Sequence, residues 1–320
     1  MPLCAAAAAI NRAGIRPKGG GYVMSFMQRM ATAPISWGIC EVPGWGIQLP
    51  VDRVLAEMAE LGFSATELGS EGYLPSDPSE LGSVLSSHNL DLLAAFIPVL
   101  VHDPAEANET LRRSEESAKL LQAAGATYFN SSPVTTWDWA PRRELTPVEW
   151  DHTMIMFDRI EEITKGHGLT QVLHEHYGTI VETKEEIQRV VDNSGIQFVL
   201  DTAHFAVGGY DPADFVDAHA DRVGLVHIKD CDLAVAKRLN AGELSLMEAV
   251  QGGIFPTVGK GDIDIDRVIS SLEAGGYPGW YVLEQDIAIT GGEPAEGQGP
   301  IEDVKASVEY LRGLEQRLAS

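Results

Sequence analysis

From Ala33 onward the chain repeats one pattern eight times: a short apolar run, then a longer segment whose apolar residues recur every three or four positions. The runs are Pro34–Trp37, Ala65–Leu68, Leu92–Ile97, Thr127–Phe129, Gln171–His174, Gln197–Leu200, Gly224–Ile228 and Trp280–Leu283. The longer segments are Val51–Leu61, Ser79–Ser87, Ala105–Ala124, Thr146–Lys165, Lys184–Asp192, Pro212–Ala218, Ile265–Ala274 and Ile301–Leu314. Val54, Met58 and Leu61 show the spacing that places side chains on one face of a helix. Thr183 ahead of Glu185 and Glu186, and Thr146-Pro147 with Glu149, are helix-start signals. Gly62, Gly125, Gly168 and Gly276 stand where a helix must stop before the next strand. A strand followed by a crossover helix returns parallel to its predecessor, so eight such units predict an α/β fold of the closed (β/α)8-barrel type. An open doubly wound sheet would carry a Gly-rich phosphate loop after its first strand. Gly38 and Gly44-Trp45-Gly46 lack that spacing.

The barrel is expected over residues 33–320 as one catalytic domain. Residues 1–32 read as a disordered extension: an Ala run inside Cys4–Ile10 is followed by Arg12, Arg16, Lys18 and three glycines. A secretion signal would place its charges first, and the apolar runs are too short to span a bilayer. Met24, Met27 and Met30 offer internal starts. Acidic residues outnumber basic ones 47 to 23, and the net charge of −24 repels phosphate backbones and anionic membranes. Neither nucleic acid nor membrane is therefore an expected partner. The three cysteines, Cys4, Cys40 and Cys231, form no disulfide or metal spacing and point to a reducing, cytoplasmic setting. The outer helices of such a barrel are compatible with a homo-oligomer, although no interface is legible.

Chemistry in such a barrel belongs at the carboxyl ends of its strands. There the sequence sets Glu67, Asn130, His174-Glu175-His176, Asp201-x-x-His204, His227-x-Lys229 and Glu284. Carboxylates converging on one buried place repel each other unless a cation neutralises them. A mixed imidazole and carboxylate shell suits Mn²⁺, Co²⁺, Fe²⁺ or Zn²⁺ rather than Ca²⁺. Strand alternation puts His174 and His176 on one face and Glu175 on the other, toward the helices. Trp37 and Trp45, like Trp137 and Trp139, are either ring-stacking surfaces for a sugar or caps on the barrel. The 231–262 connection is long enough to shape or cover a pocket. Gly259-Lys260-Gly261-Asp262 is too short for a phosphate loop and reads as a turn.

Ala33-Pro34-Ile35-Ser36-Trp37-Gly38, Thr66-Glu67-Leu68-Gly69, His174-x-His176-x-Gly178-Thr179, Asp201-x-x-His204, His227-Ile228-Lys229-Asp230 and Leu283-Glu284-Gln285-Asp286 together resemble the xylose-isomerase-like TIM-barrel superfamily, nearest its inosose dehydratase branch. The likeness runs from Ala33 to Leu314. It implies a single divalent metal, Mn²⁺ or Co²⁺ foremost, held by Asp201, His227, Glu284 and a group from strand five. There the superfamily's Glu-x-His reads His174-x-His176, so His174 takes the ligand position, with Glu175, His176 or Glu182 as the alternatives. The resemblance further implies that His204 and Lys229 contact substrate hydroxyls or a carbonyl oxygen and that Glu67 is a polar contact, while Trp37 after strand one and Asn130 at the end of strand four are substrate contacts expected from their places alone. Dehydration needs a base and an acid, and imidazole can do either job near neutrality, so His176 is expected to be the main proton-transfer group, assisted by Glu67 or Lys229. Two-base epimerases of this superfamily use carboxylates on strands five and eight, and the first is missing here. The expected reaction is therefore dehydration of a cyclic polyol ketone. Sugar isomerisation or epimerisation is the alternative, and a non-catalytic sugar-binding barrel stands behind both. A nuclease would need three metals and a basic groove.

Overall fold

The computed structural model describes residues 24–320. After a short 3₁₀ turn, Phe26–Arg29, the elements run β1 (Met30–Thr32), α1 (Val51–Glu60), β2 (Ala65–Glu67), α2 (Pro78–Ser87), β3 (Asp91–Ala94), β4 (Phe96–Val99), α3 (Ala107–Ala123), β5 (Tyr128–Pro133), α4 (Pro147–Gly166), β6 (Thr170–His174) and α5 (Lys184–Asn193). They continue with β7 (Gln197–Asp201), α6 (Thr202–Val207), α7 (Pro212–His219), β8 (Val223–Ile228), α8 (Leu233–Asn240), α9 (Leu246–Gln251), α10 (Ile265–Ala274), β9 (Tyr281–Leu283) and α11 (Pro300–Leu318).

All pairings are parallel, in the order β3-β2-β1-β9-β8-β7-β6-β5-β4. The two ends of that order, β3 and β4, are one strand interrupted at Ala95. Thr127 N–H donates to Leu93 O and Asn130 N–H to Ala95 O across the interruption. Nine runs thus make the eight staves of a nearly closed barrel, and Leu92–Ile97 spans the broken one.

The first strand departs from expectation. Pro34–Trp37 is a 3₁₀ turn, and β1 lies upstream at Met30–Thr32 between β2 and β9. Proline has no N–H to give a strand paired on both sides, so the apolar run at Pro34 cannot serve there. Residues 24–32 therefore belong to the barrel, while residues 1–23 of the expected extension lie outside the described residues. The sequence reading also missed α6, a single turn and a half begun by Asp201.

Two apolar layers hold the staves. Inside, Ala31, Ala65, Leu93, Tyr128, Val172, Val199, Leu225 and Val282 pack together, one from nearly every strand. Outside, Leu173, Phe198, Leu200, Val226, Ile228, Tyr281 and Leu283 pack beneath the helices. This period of two fixes which residue at each strand end points into the barrel mouth. Among the described residues no helix is long and apolar enough to cross a membrane.

Candidate metal centre and active site

Counting two residues on from the inner layer gives the site. Ala65 leads to Glu67, Tyr128 to Asn130, Val172 to His174 and His176, and Val199 to Asp201. Leu225 leads to His227 and Lys229, and Val282 to Glu284 and Asp286. The contacts agree. Asp201 begins α6 as its N-cap: Oδ1 accepts the N–H groups of Ala203 (3.0 Å) and His204 (2.9 Å), which turns Oδ2 toward His174 Nε2 (3.7 Å) and His227 Nδ1 (3.8 Å). His227 Nδ1 also faces Glu284 Oε2 at 3.1 Å, while its Nε2 faces Glu67 Oε1 at 2.9 Å. Lys229 Nζ lies 2.8 Å from Glu284 Oε2, 2.8 Å from Asp286 Oδ1 and 3.2 Å from Asp201 Oδ2. Its fourth neighbour is His204 Nε2 at 3.4 Å.

Ligating atoms of Asp201, His227 and Glu284 all fall within 4.8 Å of one another, as do those of His174, Asp201 and His204. His174 is 2 % exposed, yet neither ring nitrogen has a hydrogen-bonding partner among the described residues, and Asp201 Oδ2 has no aligned donor. Unpaired polar atoms this deep call for a partner that protein groups do not supply. Nitrogen and carboxylate donors in this number fit a divalent transition-metal ion.

Burial and charge set the protonation states. Burial, reinforced by His174 and Lys229, pushes the His176 imidazole down to about 3. His174 is lowered first by burial and then by His227. His204 is held well below the usual value by burial and by His176. For Asp201 and Glu284 burial works against the charge, but Lys229 outweighs it and keeps both carboxylates ionised. Burial likewise opposes the charge on Lys229, and Asp201, Asp286 and Glu284 overcome it. His176 Nδ1 lies 2.8 Å from the Tyr177 carbonyl, which can only accept. The proton is therefore on Nδ1, and Nε2 keeps its lone pair. The His176 and His204 rings are 3.9 Å apart.

Asn130 is fully buried on β5, and neither its amide oxygen nor its nitrogen has a partner among the described residues. Trp37 is not at the mouth. It is fully buried, and its indole N–H donates to Glu57 Oε2 (2.8 Å), so it braces the first turn against α1 instead of facing a sugar ring. Glu175 is buried with both oxygens unpartnered among the described residues, and burial raises its pKa well above the carboxylate range. Its ligating atoms join none of the clusters, and Glu182 is occupied by the Gly178 N–H (2.6 Å) and Arg142 (3.4 Å). Among the candidates at strand five, His174 is the one beside Asp201. Asp286 stands in the strand-eight motif but has no assigned role in the sequence, although its place two residues beyond Glu284 was signal enough. Phe96, whose ring meets those of His174 (5.5 Å) and His176 (5.9 Å), gave no such signal.

Residues 55–314 match the family model described as "Xylose isomerase-like TIM barrel". An inosose dehydratase of Geobacillus kaustophilus is 34% identical over 82% of this chain and 89% of that protein. The rhizopine catabolism protein MocC of Rhizobium meliloti is 30% identical over 84% of each chain. Among solved structures, an L-ribulose 3-epimerase superposes with a TM-score of 0.65 at 16% identity, covering 91% of this chain and 95% of the other. A zinc-bound IOLI protein superposes at 0.62 and 16% identity, covering 90% and 98%, and these likenesses speak for the fold. The chain belongs to the xylose isomerase-like TIM barrel family, beside its inosose dehydratase relatives.

Proposed function

We propose that this protein is a metal-dependent lyase that removes water from an inosose-type cyclic polyol ketone. The observation that carries the reading is His176, a neutral imidazole with Nε2 free, two residues beyond His174, which stands where a two-base epimerase would need a carboxylate. The relatives named inosose dehydratase support the same substrate class.

Asp201, His227, Glu284 and His174 would hold the metal, with Mn²⁺ or Co²⁺ the ions we favour. Bound there, a divalent ion would polarise the ketone and the hydroxyl beside it, making the proton on the α-carbon that carries that hydroxyl more acidic. His176 Nε2 takes that α-proton. As the β-carbon–oxygen bond breaks, the same imidazolium returns the proton to the departing hydroxyl, which leaves as water. One group thus serves both steps, on one face of the ring. Lys229, held as an ammonium by three carboxylates, does not trade its proton and instead stabilises the oxygen that gains charge. His204 and Asn130 have unpaired polar atoms that suit substrate hydroxyls. Glu67 acts through His227, fixing its orientation, and is a positioning residue.

The test uses protein stripped with a chelator and reloaded with Mn²⁺ or Co²⁺, incubated with an inosose. Metal-dependent growth of the ultraviolet absorbance of a conjugated enol or dione is the expected result. A flat trace with metal bound overturns the lyase reading and turns the question to epimerisation of ketoses.

A further inference from the structure

The longest connection of the barrel, residues 231–262, leaves β8 and returns toward α10, and both its ends are tied at one carboxylate. Asp230 Oδ1 accepts the N–H groups of Cys231 (2.9 Å) and Ile263 (3.1 Å), and Oδ2 those of Gly259 (2.8 Å) and Gly261 (2.9 Å). A Cβ on Gly261 would sit 2.2 Å from Asp230 Oδ1, so only glycine lets the backbone approach this closely. The Gly259-to-Asp262 turn is thus a cradle for the protein's own carboxylate.

Above this neck, α8 and α9 pack with Trp45, Ala203 and Val207 into a small apolar core of their own, and Phe255 is part of it. Phe255 reaches from that core back over the site. Lys229 Nζ lies 5.2 Å from the centre of its ring, and the His204 ring meets it edge-on at 5.7 Å. Gln285 Nε2 donates to the Phe255 carbonyl at 3.2 Å, which fastens the loop to the end of β9. The Lys229 ammonium is therefore bounded by Asp201, Glu284 and Asp286, by His204 Nε2 and by an aromatic ring.

We propose that Phe255 is a positioning residue for Lys229. Its π face closes the side of the ammonium that the carboxylates leave open, keeping water off the charge and fixing where it points. A ring within 6 Å attracts a cation most strongly when both are desolvated, and both are fully buried here. The proposal rests on the reading of Lys229 as the charge that meets the substrate's oxygen.

Two experiments test it, and one needs no substrate. In the full-length protein, Phe255→Leu keeps apolar bulk but has no π face. Reductive methylation with formaldehyde and borohydride, read by mass spectrometry, should modify Lys229 about tenfold or more faster in Phe255→Leu than in the wild type. Surface lysines should react equally in both proteins and serve as the internal control. Equal rates at Lys229 in the two proteins overturn the proposal, whatever the substrate is. In the second experiment, phenylalanines with one, two and three ring fluorines are placed at 255, which weakens the π face with little change of shape. On metal-loaded enzyme and an inosose, kcat should fall stepwise with each fluorine. A flat series overturns the proposal, provided that the wild type turns over. If the wild type is inactive, the lyase reading fails and the labelling experiment alone decides the role of Phe255.

Discussion

Glu67 Oε1 stands 2.9 Å from Nε2 of His227, so the imidazole is gripped from β2 while its Nδ1 faces Asp201 and Glu284. A carboxylate behind a metal-binding histidine fixes the ring's tautomer and direction and raises its basicity. Glu67→Ala is therefore expected to weaken divalent metal binding by about 10–100-fold. Chelator competition followed by Co²⁺ absorption measures this. Unchanged affinity would detach Glu67 from the metal centre.

His176→Ala should separate binding from chemistry. It removes the free Nε2 but touches neither Asp201, His227 nor Glu284. Metal affinity should stay within about threefold of wild type, while turnover of an inosose falls by about 10²–10⁴-fold, the usual worth of a positioned general base. Turnover near the wild-type rate would remove His176 from the mechanism.

Asn130 offers a test of a different sign. Its buried amide has no partner among the described residues, so removing it breaks no protein hydrogen bond and relieves an unpaired polar group. Asn130→Ala should leave the thermal midpoint equal to or above that of the wild type, while KM rises about tenfold. A clear loss of stability would mean that the amide works for the fold.

The parts of this molecule legible in its sequence are those governed by period. Seven of the eight strands, the helix that follows each strand, and the caps at Thr146 and Thr183 follow from spacing of two or of three to four, and Asp201, His227 and Glu284 from their places at strand ends. The first strand escaped because Met30-Ala31-Thr32 is only three residues long, and the apolar Pro34–Trp37 run beside it is the stronger local signal. Trp37 looked like a stacking surface because an indole carries the same bulk whether it meets a sugar or Glu57. Phe255 lies about 27 residues beyond β8 in a loop whose path depends on Asp230, so no local pattern could place it over Lys229.

The capping box of α4 predicts a pH effect. Arg143 and the Thr146 backbone and hydroxyl lower the Glu149 pKa to about 2. A carboxylate depressed on folding adds stability above its unfolded value, near 4.5, and loses that contribution as pH falls toward 2. Glu149→Gln should therefore have a lower urea midpoint than the wild type at pH 7. The gap should narrow below about pH 4.5 and be gone near pH 2. Because the group is exposed the gap is small, and a gap that widened on acidification would contradict the assignment.

Gly224 links the fold to the site. Between β7 and β8 the register runs Phe198 with Val223 and then Val199 with Leu225, so Gly224 is an extra residue on β8. Such a bulge resets the alternation of the strand, and here it leaves Leu225, His227 and Lys229 facing inward. A Cβ on Gly224 would lie 2.6 Å from Val172 Cγ1 and 3.0 Å from Gln197 Cβ, so the bulge tolerates no side chain unless Val172 yields. Gly224→Ala is expected to destabilise the protein by about 1–3 kcal/mol, as overpacking of a dense interior does, and to lower metal affinity with it. The decisive comparison is the double variant Gly224→Ala with Val172→Ala. Trimming Val172 frees the space the new methyl needs, so the double variant should be more stable than the sum of the two single losses. Simple additivity would place the strain elsewhere in the bulge. A Gly224→Ala protein with wild-type stability and metal affinity would show that the parity of β8, and with it the aim of His227, does not depend on this residue.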